Sequence, residues 1–248
     1  MEIKTVFITG RKENKLALET AKKTNEFFSE KIKVITDKDF FGKGKSITNI
    51  NADLILCFGG DGTLLKTFRD LKKRIPVMGI NCGNIGFLHA FSADEIEKAV
   101  QKIISGKIVV EERTRILSKI DNKKMPDALN EVLIVPKEAG RIMRYSLKIA
   151  DIKREEASDG LMLATPTGST AHALSAGGPI VRGNAKVFVV VSINPVDWKH
   201  RPLIINDHEK TTISDFNSNA TAVIDGQQRF PINKKIELVK GSSVLLAK

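Results

Sequence analysis

In the first ninety residues, short apolar runs alternate with longer stretches of helical spacing. Residues 3–8, Lys33–Thr36, 54–58 and 76–80 are short apolar runs that read as buried strands. Residues 13–31 place Leu16, Thr20, Phe27 and Phe28 for one face of a helix. Residues 63–73 do the same with Leu64, Leu65, Phe68 and Leu71. Ser92 and Glu95 form a capping box for a further helix reaching residue 105. Such alternation predicts an α/β domain, Rossmann-like and doubly wound, that binds ligands at the carboxyl ends of its strands.

After Gly106 the period changes. Strands are predicted at 107–120, 130–136, 144–153, 161–165, 186–194, Thr211–Ser214 and Ala220–Ile224, with one short helix around 169–176. This is the pattern of a β-rich domain of stacked sheets. The predicted division is an α/β domain over 1–95 and a β-rich domain over 96–230. Spacing alone leaves the strands after Pro231 free to join either.

Composition narrows the partners. The 248 residues are 42% hydrophobic and 28% charged, the balance of a soluble globular protein. A net charge of +11 suits nucleic acid, a membrane surface or a small polyanion. One Trp, one Tyr and scattered basic residues offer no stacking platform, so no nucleic-acid partner is expected. No apolar run approaches 18 residues and the first residues lack a signal-peptide layout, so no membrane role and a cytoplasmic location are expected. Cys57 and Cys82 read as buried core thiols.

Four stretches carry candidate chemistry. FGGDGTLL (58–65) joins a strand to a helix through three glycines, which let backbone amides crowd an anion at the helix N-terminus. Its Asp61 is unexpected there, because a carboxylate repels phosphate. DGLMLATPTGSTAHALSAGGP (159–179) runs a strand into hydroxyls and free amides at a helix start. Asn130 and Glu131 open the apolar run VLIV, where a carboxylate also fits a plain strand edge. Asp225-Gly226 between two strand runs is a hairpin signal on its own. FGKGKS (41–46) ends like a P-loop, but Asp39 stands where the motif needs glycine and no long strand leads in.

GGDGT, the NE pair and DGxxxxTPTGSTA…SAGGP, in this order and spacing, resemble the NAD kinases from about residue 3 to the Asp225 turn. The resemblance implies an active site in the cleft between the two domains and a chain end (231–248) that completes the first. It implies phosphoryl transfer from ATP or polyphosphate to the 2′-hydroxyl of NAD's adenosine ribose, giving NADP. Asp61 would be the base that takes the hydroxyl proton, while Gly59, Gly60, Gly62 and Thr63 hold phosphates. A divalent metal, Mg2+, is expected mainly through the ATP phosphates, where it offsets the repulsion by Asp61.

Carried over by position, Asn130 and Glu131 would contact the adenosine, Glu131 through the ribose hydroxyls, and Asp159 the nicotinamide end. Thr165, Thr167, Gly168, Ser169, Thr170, Ala171, His172 and Ser175 would line the dinucleotide pocket, and Phe87 would pack near the adenine. Arg141 stands where the family often has a basic or imidazole group, and Asp225 with Gln227 matches a DGQ turn that reaches the site. A homodimer or homotetramer is expected. Two departures stand out: His172 replaces a usual tyrosine, and Pro195-Val196-Asp197 lacks a usual histidine. A diacylglycerol- or sphingosine-type lipid kinase shares GGDGT but has no counterpart of TPTGSTA. A phosphofructokinase-like enzyme shares GGDG but expects a more arginine-rich site. A non-catalytic NAD(H) sensor has no need of Asp61.

Overall fold

The computed structural model describes residues 2–28 and 32–248, which fall into two compact units, 1–112 with 244–248 and 113–243. In chain order the first unit holds β1 (Thr5–Gly10), α1 (Lys15–Phe27), β2 (Lys33–Thr36), α2 (Lys38–Phe41), β3 (Leu54–Gly59), α3 (Asp61–Asp70), β4 (Val77–Asn81), β5 (Phe91–Ser92), α4 (Ile96–Ile104) and β6 (Val110–Arg113). The second holds β7 (Ile116–Ile120), β8 (Lys123–Lys124), β9 (Glu131–Pro136), β10 (Met143–Ile149), β11 (Ile152–Ser158), β12 (Gly160–Ala164), α5 (His172–Ser175) and β13 (Val187–Ile193). It continues with β14 (Leu203–Asn206), β15 (Thr211–Ser214), β16 (Ala220–Ile224), β17 (Gln228–Ile232) and β18 (Lys235–Lys240), after which β19 (Val244–Ala247) returns to the first unit.

The first sheet runs β2-β1-β3-β4-β19-β6, with β5 also on β4. Strands β1 to β4 are mutually parallel, and β3 is buried along its whole length, as a central strand covered on both faces must be. Val6, Ile8, Leu54, Leu56, Met78 and Ile80 face α1 and α4 on one side. On the other face Cys57 meets Thr67 of α3, Sγ to Oγ1 at 3.3 Å.

Helix α1 bears out half of its expected face and corrects the rest. Thr20 and, at its end, Phe28 are buried together with Ala17, Ala21 and Thr24, while Leu16 and Phe27 stay half exposed. Small side chains bring the helix axis close to the sheet, and that close approach sets the face. The expected last residues of this helix, 29–31, lie outside the described residues. Helix α3 begins at Asp61, two residues before the expected 63, because Gly60 serves as its N-cap. Ser92 and Glu95 do form the capping box, leading through a short 3₁₀ turn into α4.

The second unit is two antiparallel sheets, β11-β10-β15-β18-β7-β8 and β14-β13-β12-β9-β16-β17. Alternate residues from both meet in one core, among them Val132, Ile134, Tyr145, Leu147, Leu161, Leu163, Phe188, Ile213, Ile224 and Ile236. The opposite face of β12 and β13 (Met162, Ala164, Val189, Val191) is covered by Ala173 of α5. Two expected strands are broken. Residues 107–120 divide into β6 and β7, one in each unit, and 144–153 contains a turn at Ala150, which takes φ +48°. The division falls after Glu112 and not after 95, because α4 buries Ile96, Ala99, Val100 and Ile103 in the first core. Residues 231–243 stay with the second unit, and only the last strand crosses back.

Candidate active site

In the first unit the site forms where β3 ends. A Cβ on Gly59 would lie 2.5 Å from Thr63 Oγ1, so only glycine lets the helix start this close to the strand. Thr63 N–H closes the first turn on the Gly60 carbonyl at 2.9 Å. Asp61 therefore projects from the first position of α3, and segment 81–89 folds over it. That segment is held by polar groups of its own and of its neighbours. Asn81 Oδ1 accepts from Gly83 N–H (2.9 Å), Cys82 N–H donates to Gly59 O (3.0 Å), and Asn14 Nδ2 donates to Cys82 O (2.8 Å). Gly86 takes φ +76° with Asn81 Nδ2 only 2.5 Å from where a Cβ would sit, so two independent constraints select glycine.

Both carboxylate oxygens of Asp61 are engaged. Oδ2 accepts from Phe87 N–H at 3.2 Å and Oδ1 from Leu88 N–H at 3.1 Å, with His89 Nδ1 3.2 Å from Oδ1. Partial burial pushes the Asp61 carboxyl up, but the His89 ring and the two amides outweigh it and hold it below its ordinary value. Asp61 is thus an aimed, ionised carboxylate at neutral pH. The same segment leaves Phe87 68% and Ile85 71% exposed, an apolar surface next to the carboxylate's anchors.

The second unit gathers most of its candidates at one end of β9. Asp225 (φ +49°) and Gly226 (φ +66°) make a tight hairpin turn, closed by Gln227 N–H on Ile224 O at 2.9 Å. The Asp225 carboxylate accepts from Leu129 N–H (3.1 Å) and Asn130 N–H (2.8 Å), and its own N–H donates to Glu131 O (3.0 Å). On the other side of β9, Thr165 N–H donates to Asn130 O at 2.8 Å. Gly168 lies so close that a Cβ would come within 2.1 Å of that carbonyl. Turn, strand and TPTGS loop are thus one assembly around Asn130-Glu131.

Within it, the hydroxyls have different uses. Thr165 Oγ1 donates to Leu129 O (2.6 Å) and accepts from Gly168 N–H (3.0 Å), while Ser169 Oγ bonds Pro166 O (2.8 Å) and accepts from Val181 N–H (3.0 Å). Both side chains are buried and hold the loop's shape. Thr170 and Ala171 are half exposed, and His172 and Ser175 of α5 are open to solvent.

Glu131 is the most informative side chain. It is 5% exposed, and its Oε2 is buried without a hydrogen-bond partner. Desolvation, and secondly the Asp225 charge, push its carboxyl from 4.5 up to about 7. A buried acceptor left open is costly unless a ligand fills it.

Two expected residues are not brought to this assembly within the unit. Asp159 precedes β12, whose far residue Ala164 pairs with Glu131, so it stands about 17 Å along the strand, where Asn194 Nδ2 bonds it at 2.9 Å. Arg141 lies five residues beyond the Pro136 end of β9, away from the Glu131 end, exposed and paired with Glu138 at 3.2 Å. Two residues were missed from sequence. His89 lies 28 positions after Asp61 with no motif to link them, and Arg115, near Asp225 and 3.6 Å from Asp127, begins no recognisable pattern. Among the described residues no group of three or more His, Cys, Asp or Glu side chains could hold a metal ion, and no helix is long and apolar enough to cross a membrane.

Residues 6–108 match the family model of the ATP-NAD kinase N-terminal domain, and residues 129–243 that of the ATP-NAD kinase C-terminal domain. The chain is 37% identical over 200 residues to an NAD kinase of Methanothermobacter thermautotrophicus, covering 79% of this chain and 70% of that one. It is 38% identical to an NAD kinase of Methanoregula boonei, covering 80% and 74%. A bifunctional NADP phosphatase/NAD kinase of Methanocaldococcus jannaschii is 38% identical over 75% of this chain, which spans only 33% of that protein's length. In fold it is similar to yeast NADH kinase complexed with NADH, with TM-score 0.86 and 24% identity over 100% of this chain and 84% of that one. It is also similar to an Archaeoglobus fulgidus NAD kinase in complex with ATP, with TM-score 0.81 and 23% identity over 98% and 92%. Two family models that together span most of the chain, and relatives above 30% identity over most of their own length, lead to one conclusion: the chain belongs to the ATP-NAD kinase family.

Proposed function

We infer that this protein is an NAD kinase, transferring the γ-phosphoryl group of ATP to the 2′-hydroxyl of NAD's adenosine ribose to give NADP. Family membership supports the reaction, and the relatives named NAD kinase support the substrate. The Archaeoglobus neighbour was solved with ATP and the yeast neighbour with NADH, which favours a nucleotide donor and a dinucleotide acceptor. The observation that carries the acceptor is the buried, unpartnered Glu131 Oε2. A sugar hydroxyl supplies the donor this oxygen lacks.

The roles follow from the two assemblies. Asp61 receives the 2′-hydroxyl proton as the O–P bond forms. Phosphoryl transfer leaves the protein mostly positioning and charge stabilisation, so an ionised, immobilised carboxylate suits the task despite its low basicity. Gly59, Gly60, Gly62 and Thr63 surround the phosphates at the start of α3, and Phe87 offers its exposed ring to the adenine. Glu131 and Asn130 hold the adenosine, with Asp225 and Gln227 fixing their strand from the hairpin. Thr167, Gly168, Thr170, Ala171, His172 and Ser175 line the dinucleotide's path, with Thr165 and Ser169 shaping the loop beneath it. Asp159 is assigned to the nicotinamide end, and Arg141 to a supporting charge. Mg2+ would arrive on the ATP phosphates and neutralise charge there. A cytoplasmic homodimer or homotetramer completes the reading.

The test is direct. Incubation with ATP, Mg2+ and NAD should yield NADP, read by an NADP-specific dehydrogenase. Phosphorylation of diacylglycerol with no NADP formed would replace this reading by the lipid kinase one.

A further inference from the structure

His89 sits in the first unit with a side chain only 2% exposed, and neither ring nitrogen has an aligned hydrogen-bond partner. Its ring lies against Gly79 of β4, where a Cβ would come within 2.8 Å of ring Cδ2. The fold therefore keeps space for an imidazole at a place where an apolar side chain would incur no polar desolvation. A buried polar ring without partners requires an explanation. The charged group facing it is Asp61, whose Oδ1 is 3.2 Å from Nδ1. The same oxygen takes the Leu88 amide, so ring and main chain hold the carboxylate from one continuous segment.

We propose that His89 is a positioning residue for phosphoryl transfer: its Nδ1–H closes on Asp61 Oδ1 when the reaction assembles and fixes the carboxylate toward the acceptor hydroxyl. The inference rests on Asp61 as the base. The contact is short in distance but off the hydrogen-bond line, and contacts of catalytic groups commonly tighten only with substrate bound. Asp61 keeps lone pairs away from residues 87–89 for the incoming hydroxyl.

The experiment compares His89→Asn, which can still donate a hydrogen bond to Asp61, with His89→Leu, which fills the space without a donor. His89→Leu should lower kcat about ten- to a hundredfold with little change in KM for NAD, because aim and not binding is lost. His89→Asn should recover much of that loss. In an Asp61→Asn background, His89→Leu should cost almost nothing further. A second readout needs no turnover: the ¹³Cγ titration of Asp61 should shift to higher pH in His89→Leu, since the imidazole holds that carboxyl down. Equal kcat in wild type and His89→Leu, or an unmoved Asp61 titration, would overturn the inference while leaving the base assignment intact. Equal losses in His89→Asn and His89→Leu would mean a packing role and also overturn it. If Asp61→Asn keeps full turnover, the base reading itself fails, and the ¹³C titration alone then shows whether the contact exists.

Discussion

At the scale of one residue, the burial of Glu131 bears on its proposed role in holding the adenosine. Its carboxyl is pushed from 4.5 to about 7 chiefly by desolvation, so the folded chain holds a proton that the unfolded chain releases. Below pH 4.5 both states are protonated and the residue is neutral in effect. From 4.5 to 7 the unfolded carboxyl ionises first, so stability falls as pH rises, and above about 7 the full penalty applies, at most about 3 kcal/mol. Glu131→Gln should therefore match the wild type near pH 4.5 and melt several degrees higher at pH 8, while its kcat/KM for NAD falls. Differential scanning calorimetry at the two pH values checks this, and an equal difference at both would contradict it. The residue type at 131 was legible as a candidate because NE precedes an apolar run. Its burial was not, because it depends on a hairpin ninety-four residues away.

Among the elements, the Asp225 turn shows how a local signal acquires a distant role. Asp-Gly predicts a hairpin, and the positive φ values of Asp225 and Gly226 bear it out. What spacing cannot give is that the Asp225 carboxylate reaches across to the amides of Leu129 and Asn130. Asp225→Ala leaves the Leu129 and Asn130 amides without their acceptor and removes the short polar side chain that lets this position tolerate φ +49°, so a loss of about 2–4 kcal/mol is expected in urea denaturation. Asp225→Asn tolerates the backbone and keeps one acceptor, so it should lose roughly half as much. It should also lower the Glu131 pKa, because the Asp225 charge is part of what raises it. If both variants melt like the wild type, the turn does not hold the strand. Elsewhere the element reading failed for physical reasons. Residues 144–153 read as one strand because Ala150, with neither glycine nor asparagine at that position, takes the left-handed conformation the turn requires. Asp159 opens the motif that Thr165 continues, yet five residues of strand at about 3.3 Å each set it at the other end of β12 from Glu131.

For the whole molecule, the α/β and β-rich halves were legible because period 3.6 and period 2 patterns occupy different parts of the chain. The position of the boundary was not, since α4 belongs to the first core by burial and not by proximity in sequence. The return of β19 beside β4 was implied only by the family resemblance, because an isolated apolar run (VLLA) fits any sheet edge. The net charge of +11, unassigned by composition, is consistent with two polyanionic substrates. Turnover of the intact protein, with and without the Asp61 carboxylate, tests most directly whether this side chain serves the family's reaction. NADP formation from ATP and NAD should fall by roughly 10²–10⁴ in Asp61→Asn, while the Kd for NAD, by calorimetric titration, stays within a few-fold of wild type. Near-normal NADP formation by Asp61→Asn would contradict the claim.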